Sequence, residues 1–121
     1  MKKLMAFIIV LIITSAVAFA GEVDVVKVNV KKTGDHTYRF SVTLRHDDTG
    51  WEHYADRWEV LSPDGKILAT RVLYHPHVDE QPFTRSLSGV KIPSDIEEVI
   101  IRGHDKKHGY GGKTKKIKLP K

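Results

Sequence analysis

Seven histidines occur in the 121-residue chain, at positions 36, 46, 53, 75, 77, 104 and 108. Imidazole ligates divalent transition metals and exchanges a proton near neutral pH. The densest chemistry lies in one stretch, His75-Pro76-His77-Val78-Asp79-Glu80-Gln81-Pro82-Phe83-Thr84-Arg85. It joins two imidazoles, two carboxylates and a guanidinium where a turn would ordinarily use Gly, Asn, Asp or Ser. A residue before proline is driven to extended backbone, and in extended chain residues two apart point the same way. His75 and His77 are therefore expected to face one site. His104 and His108 are four apart, a spacing that carries weight on a helix but falls here in a glycine-rich segment.

The ligand chemistry is bounded by what the chain lacks. There is no cysteine, and both methionines, Met1 and Met5, lie in the apolar N-terminal segment. Sulfur coordination, including a methionine-type copper(I) site, is excluded for the rest of the chain. Imidazole with carboxylate suits Zn²⁺, Cu²⁺, Ni²⁺ or Fe²⁺. Asp47, Asp48, Asp79, Glu80 and Asp105 are near the histidines in sequence, as ligands, as partners that orient an imidazole, or as solvated surface. No hydrolase elbow, phosphate loop or helical zinc-protease motif is present. Ser86 and Ser88 have no evident histidine partner, and Asp47-Asp48 and Glu97-Glu98 point apart on extended chain.

The elements that must position these residues read as strands. Short runs rich in Val, Ile, Thr, Tyr and Phe alternate with turn signals, and no sustained 3.6-residue apolar period appears. Strands are expected at 23–32, with Val26, Val28 and Val30 on one face, and at 37–45, where Tyr38, Phe40, Val42 and Leu44 alternate with polar residues. His46 continues that inward phase. Further strands are expected at 56–61, with Trp58 and Val60 inward, 66–74, 83–90 with Phe83 and Leu87 inward, 98–102 or slightly beyond, and 114–119 with Ile117 and Leu119 inward. Ser62-Pro63-Asp64-Gly65 is a tight turn. Together these predict an all-β, seven-stranded immunoglobulin/fibronectin-III-like β-sandwich, with a small barrel as the alternative.

An up-and-down antiparallel order puts six histidines at one pole and only His36 at the other. His46 ends the second strand, His53 precedes the third, His75 and His77 follow the fourth, and His104 and His108 follow the sixth. Sheet neighbours lie about 4.8 Å apart, so His53, His75 and His104 are expected on adjacent strand ends. The first-choice metal ligands are His75, His77, His53 and His104, followed by His46 and His108. Trp51, Tyr54 and Tyr110 supply an aromatic rim at the same pole, with Phe83 adding area. Asp79, Glu80 and Arg85 are further binding candidates. Arg57, Arg71 and Arg85 are expected to pair with Asp56, Asp79 or Glu80.

The N-terminus reads as a secretory signal. Lys2 and Lys3 precede an apolar run, and Ala18-Phe19-Ala20 presents small residues at a cleavage site. This predicts a signal peptide over 1–20, a single domain over 21–121, and a periplasmic or secreted location with no membrane association after cleavage. With no cysteine at the cut, a lipid anchor of the lipoprotein type is not expected. Removing the two leader lysines lowers the formal net charge from +5 to +3. The excess is concentrated in the C-terminal lysines, which points away from nucleic acid.

The blocks HDDTGWEHYADRWEV (46–60), HPHVDEQPFTRSL (75–87) and HDKKHGYGG (104–112) resemble a family of small exported bacterial proteins of unassigned activity. The resemblance implies a periplasmic single domain of immunoglobulin-like fold and brings no mechanism. The residues themselves point to binding of a divalent transition metal, zinc or copper(II), for sequestration, delivery or sensing. The alternative is a non-enzymatic interaction module that binds a protein or cell-envelope ligand through the same loops. A three-histidine metal with an open position can activate water, but nothing in the sequence supplies a substrate pocket, so binding is read ahead of catalysis.

Overall fold

The computed structural model describes residues 22–121, and the signal expected over 1–20 lies outside the described residues. Within them there are seven strands and no helix: β1 (Asp24–Gly34), β2 (Thr37–Arg45), β3 (Ala55–Leu61), β4 (Ile67–Val72), β5 (Phe83–Lys91), β6 (Glu98–Asp105) and β7 (Lys115–Lys118). They form two antiparallel sheets, one ordered β1-β2-β5 and the other β4-β3-β6-β7. One hydrophobic cluster lies between them, drawing Phe40, Val42, Leu44 and Phe83 from the first sheet and Trp58, Val60, Val99 and Ile101 from the second.

Period-two alternation explains most of this arrangement. In β2, Tyr38, Phe40, Val42 and Leu44 are buried, and every second side chain faces the opposite sheet. Trp58 is fully buried near the centre of β3. β1 departs from the simple pattern. Its pairing with β2 shifts between Val25 and Lys27, a bulge centred on Val26 that changes which parity faces inward. Val23 and Val25 are buried before it, while Val28 and Val30 pack against the core after it. The single apolar face expected from Val26, Val28 and Val30 is therefore split.

β6 runs to Asp105, beyond the expected end near Arg102. Val99, Ile101, Gly103 and Asp105 alternate inward along it. Gly103 sits at a close approach of the two sheets. A Cβ there would overlap the side chain of Val23 and meet Leu44 Cδ2 at 3.5 Å. Leu44 thus faces Gly103 across the core. One alternation further out, His46 at the end of β2 meets Asp105 at the end of β6. The same strand phases that build the core carry an imidazole and a carboxylate to its polar end.

Substituting Gly103→Ala should therefore destabilise the fold by about 1–3 kcal/mol, the usual range for overpacking a core. Gly34→Ala, whose added carbon would meet only Thr37 at 3.6 and 3.8 Å, should shift stability much less. Comparison of the two denaturant midpoints checks this.

Candidate metal centre

Three segments converge at the pole. His46 follows β2 directly, and its backbone N–H donates to Gln81 Oε1 at 2.9 Å. Two residues later Asp48 turns its carboxylate inward. Asp48 Oδ1 is bonded to His46 Nδ1 and accepts from the Ala55 N–H at 3.1 Å. Asp48 Oδ2 accepts from the His77 N–H at 2.6 Å. A short loop closed by a Thr49 N–H to His53 carbonyl bond of 3.0 Å brings His53 alongside.

Asp105 enters from the other sheet. It pairs with Gly109 through two reciprocal backbone bonds of 3.0 Å, and Gly109 takes a φ of 70° that a side chain would strain. Within this tight loop Asp105 Oδ1 accepts from the N–H groups of Lys107 and His108. That leaves Oδ2 directed at the histidines, 3.2 Å from His46 Nε2 and 3.7 Å from His53 Nε2.

One ligating atom from each of His46, His53 and Asp105 lies within 4.8 Å of the others, and this set could hold a metal ion. The side chains of His46, Asp48 and Asp105 have no exposed surface, and His53 retains 17%. Burial pushes the Asp48 carboxyl upward. Its bonds to His46, His77 and Ala55 and the charge of His46 outweigh that effect, so its pKa lies below the ordinary value.

The other predicted ligands fall into separate groups. His75 and His77 do stand side by side, with ring centroids 4.8 Å apart. His77 is buried and stacked on Phe83 at 3.9 Å. Its Nε2 accepts from Arg85 at 2.9 Å, and Arg85 also pairs with Glu80 at 3.2 Å. That leaves the proton on Nδ1, which is buried without a hydrogen-bond partner. Burial, then the Arg85 charge and then His75, lower the His77 pKa, so it is neutral at neutral pH. His75 is exposed, and with Asp79, Glu80 and Arg85 it borders a shallow depression of about 370 Å³.

His104 lies on the other face of the four-stranded sheet. Successive residues on a strand point to opposite faces, so with Asp105 inward His104 is outward. There its Nδ1 bonds Asp56 Oδ1 at 2.6 Å, and its ring meets Tyr110 edge-on at 4.7 Å. His53, His75 and His104 end neighbouring segments as expected, yet they do not form a common group among the described residues. Asp105, ranked only as one nearby acid, is the carboxylate that joins the histidines. Its signal in the sequence was the alternation Val99, Ile101, Gly103, Asp105, which a strand ending at Arg102 would hide.

Of the three expected rim residues, Trp51 and Tyr54 lie together in the loop before β3, whereas Tyr110 folds onto the outer face of the four-stranded sheet. Trp51 is 62% exposed and packs edge-on against Tyr54 at 5.8 Å. Lys106 Nζ donates to the Trp51 carbonyl at 3.3 Å and lies over the Tyr54 ring. Arg57 pairs with Asp56 at 3.7 Å and Arg85 with Glu80, as expected. Arg71 instead donates to the Ser86 and Val72 carbonyls.

An unexpected network fixes Tyr110. Glu59 is 2% exposed on the outer face of β3. It accepts from Arg102 Nε at 2.7 Å, Arg57 Nε at 2.9 Å and the Tyr110 hydroxyl at 3.0 Å. The Arg102 guanidinium lies 3.7 Å from the Tyr110 ring centroid. This anchors the loop after β6 to the sheet.

A protein of Halomicrobium mukohataei named "Putative lipoprotein" is 45% identical over 93 residues. The match covers 77% of this chain and 45% of the relative, so the chain spans less than half of that protein's length. No family model matches the chain, and no solved structure matches it.

The Glu59 network gives a pH test. Burial raises the Glu59 pKa, but Arg102, Arg57 and Tyr110 lower it further, so the folded value lies below the ordinary one. Its contribution is complete above the unfolded pKa and is lost as pH falls through the folded pKa. Glu59→Gln should cost roughly 1.5–3 kcal/mol at pH 7, the range for hydrogen bonds to charged groups. The gap from wild type should close in strongly acidic solution. Urea unfolding at a series of pH values measures both.

Proposed function

We propose that this protein binds a divalent transition metal ion through His46 Nε2, His53 Nε2 and Asp105 Oδ2, for sequestration, delivery or sensing. The observation that carries the reading is the closure of these three atoms within 4.8 Å, brought from both sheets and an intervening loop. A supporting feature comes from Asp48. It holds His46 by Nδ1, which turns Nε2 toward Asp105. Metal-bound histidines ordinarily have their second nitrogen fixed in this way.

Charge points in the same direction. Asp48 and Asp105 are two fully buried carboxylates on either side of one imidazole. A cation held between His46, His53 and Asp105 would be attracted by both carboxylates, and burial strengthens that attraction. Two imidazoles and a carboxylate suit zinc or copper(II), and the same set also fits iron(II).

The two sheets fit an immunoglobulin- or fibronectin-III-like sandwich. Their order places the fourth strand beside the third, as strand C′ lies beside C, and the buried Trp58 is on the strand equivalent to C. The name of the Halomicrobium mukohataei relative and the signal-like N-terminus support an exported, cell-envelope location, periplasmic or secreted. A second reading, an interaction module for a cell-envelope protein, is favoured by the exposed Trp51 beside the centre.

Metal titration of protein without a polyhistidine tag tests the proposal. Zn²⁺ or Cu²⁺ should bind wild type more tightly than about 10 µM. His46→Ala and Asp105→Asn should abolish that binding. Asp48→Asn should weaken it by about 10–100-fold, the usual consequence of losing a ligand-orienting partner. His75→Ala should leave it nearly unchanged. Weak wild-type binding, or full affinity in His46→Ala, would exclude this centre.

A further inference from the structure

His46 and His53 belong to a longer row of imidazoles. Their ring centroids are 4.9 Å apart at 90°, and His53 and His108 follow at 4.8 Å and 73°. Exposure rises outward along the row. The His46 side chain is fully buried, His53 keeps 17%, and His108 is exposed. An ion arriving from solvent would meet His108 first.

We propose that His108 supplies a fourth ligand from the solvent side, completing a closed centre of three histidines and one aspartate. This rests on the metal reading above and decides between its uses. A four-coordinate centre with only protein ligands holds an ion, whereas a catalytic zinc site keeps one position for water or substrate. With His108 bound, the centre is suited to storage and transfer. Release of that one exposed imidazole opens a route for ligand exchange with an acceptor.

The loop is built to keep His108 near the centre. Its backbone N–H bonds Asp105 Oδ1, the other oxygen of the carboxylate whose Oδ2 faces His46 and His53. Two Asp105–Gly109 backbone bonds close the loop behind it. The Lys106 N–H donates to the Tyr54 carbonyl at 3.0 Å on one side, and Glu59 holds the Tyr110 hydroxyl on the other. The backbone is thus fixed on both sides of His108, and side-chain rotation is the movement that brings its imidazole into the coordination shell.

Co²⁺ is a suitable probe because its visible spectrum reports coordination number. Wild type should show the intense bands of a four-coordinate site, unchanged by added azide. His108→Ala should bind Co²⁺ at least about tenfold more weakly, a loss within the range seen on altering metal surroundings. Its spectrum should respond to azide, and free imidazole should restore the four-coordinate bands. Unchanged thermal unfolding without metal would confirm that the exposed substitution leaves the fold intact. Wild-type affinity and spectrum in His108→Ala, or an azide response in wild type, would overturn His108 ligation and leave the three-residue centre standing. Failure of wild type to bind Co²⁺, Zn²⁺ or Cu²⁺ would overturn the underlying reading itself.

Discussion

The pole of this protein depends on one buried contact sequence, Asp48 to His46 to Asp105. Two carboxylates without solvent exposure are unfavourable unless each has donors or a cation. Asp48 has the Ala55 and His77 N–H groups and His46, and Asp105 has two loop N–H groups and two imidazoles. Those needs fix the backbone of three separate segments. The region between 46 and 55, the backbone at His77 and the turn after β6 are all arranged by bonds to these two side chains.

This arrangement is an extension of the core rather than an attachment to it. Leu44 and His46 share one phase of β2, and Gly103 and Asp105 share one phase of β6. Gly103 lets the sheets approach, and that approach brings His46 and Asp105 into contact at the next layer. Core packing therefore sets the spacing of His46 and Asp105, which gives the proposed centre a geometry that flexible loops alone would not provide.

Other charged groups on the sheet face and in the 77–85 region have structural partners. Glu59 is enclosed by Arg57, Arg102 and Tyr110 on the outer face of the four-stranded sheet. Arg85 joins the His77 ring to Glu80. Gln81 ties the His46 N–H to the His77 carbonyl. The His75-Pro76-His77 stretch, the most conspicuous chemistry in the chain, thus acts through its backbone as a support for Asp48. Its buried imidazole is held on Phe83 and Arg85 instead of joining His46, His53 and Asp105.

Much of the architecture follows from local pattern. Alternating apolar residues specify β2 with both ends correct, and they identify Phe40, Trp58 and Val60 as interior because alternation and β-branching act within a few residues. The gathering of histidines at one pole follows equally from strand order and loop placement. Which histidines share a site depends on side-chain direction at strand ends, and that depends on bulges and on where a strand stops. The bulge at Val26 changes the inward parity of β1. Three more residues on β6 set Asp105 inward and His104 outward. Such choices are made by packing between sheets and by hydrogen bonds spanning 29 to 59 residues of chain. No short window of sequence contains both partners of those contacts, so the grouping of His46, His53 and Asp105 emerges only when the two sheets close on each other.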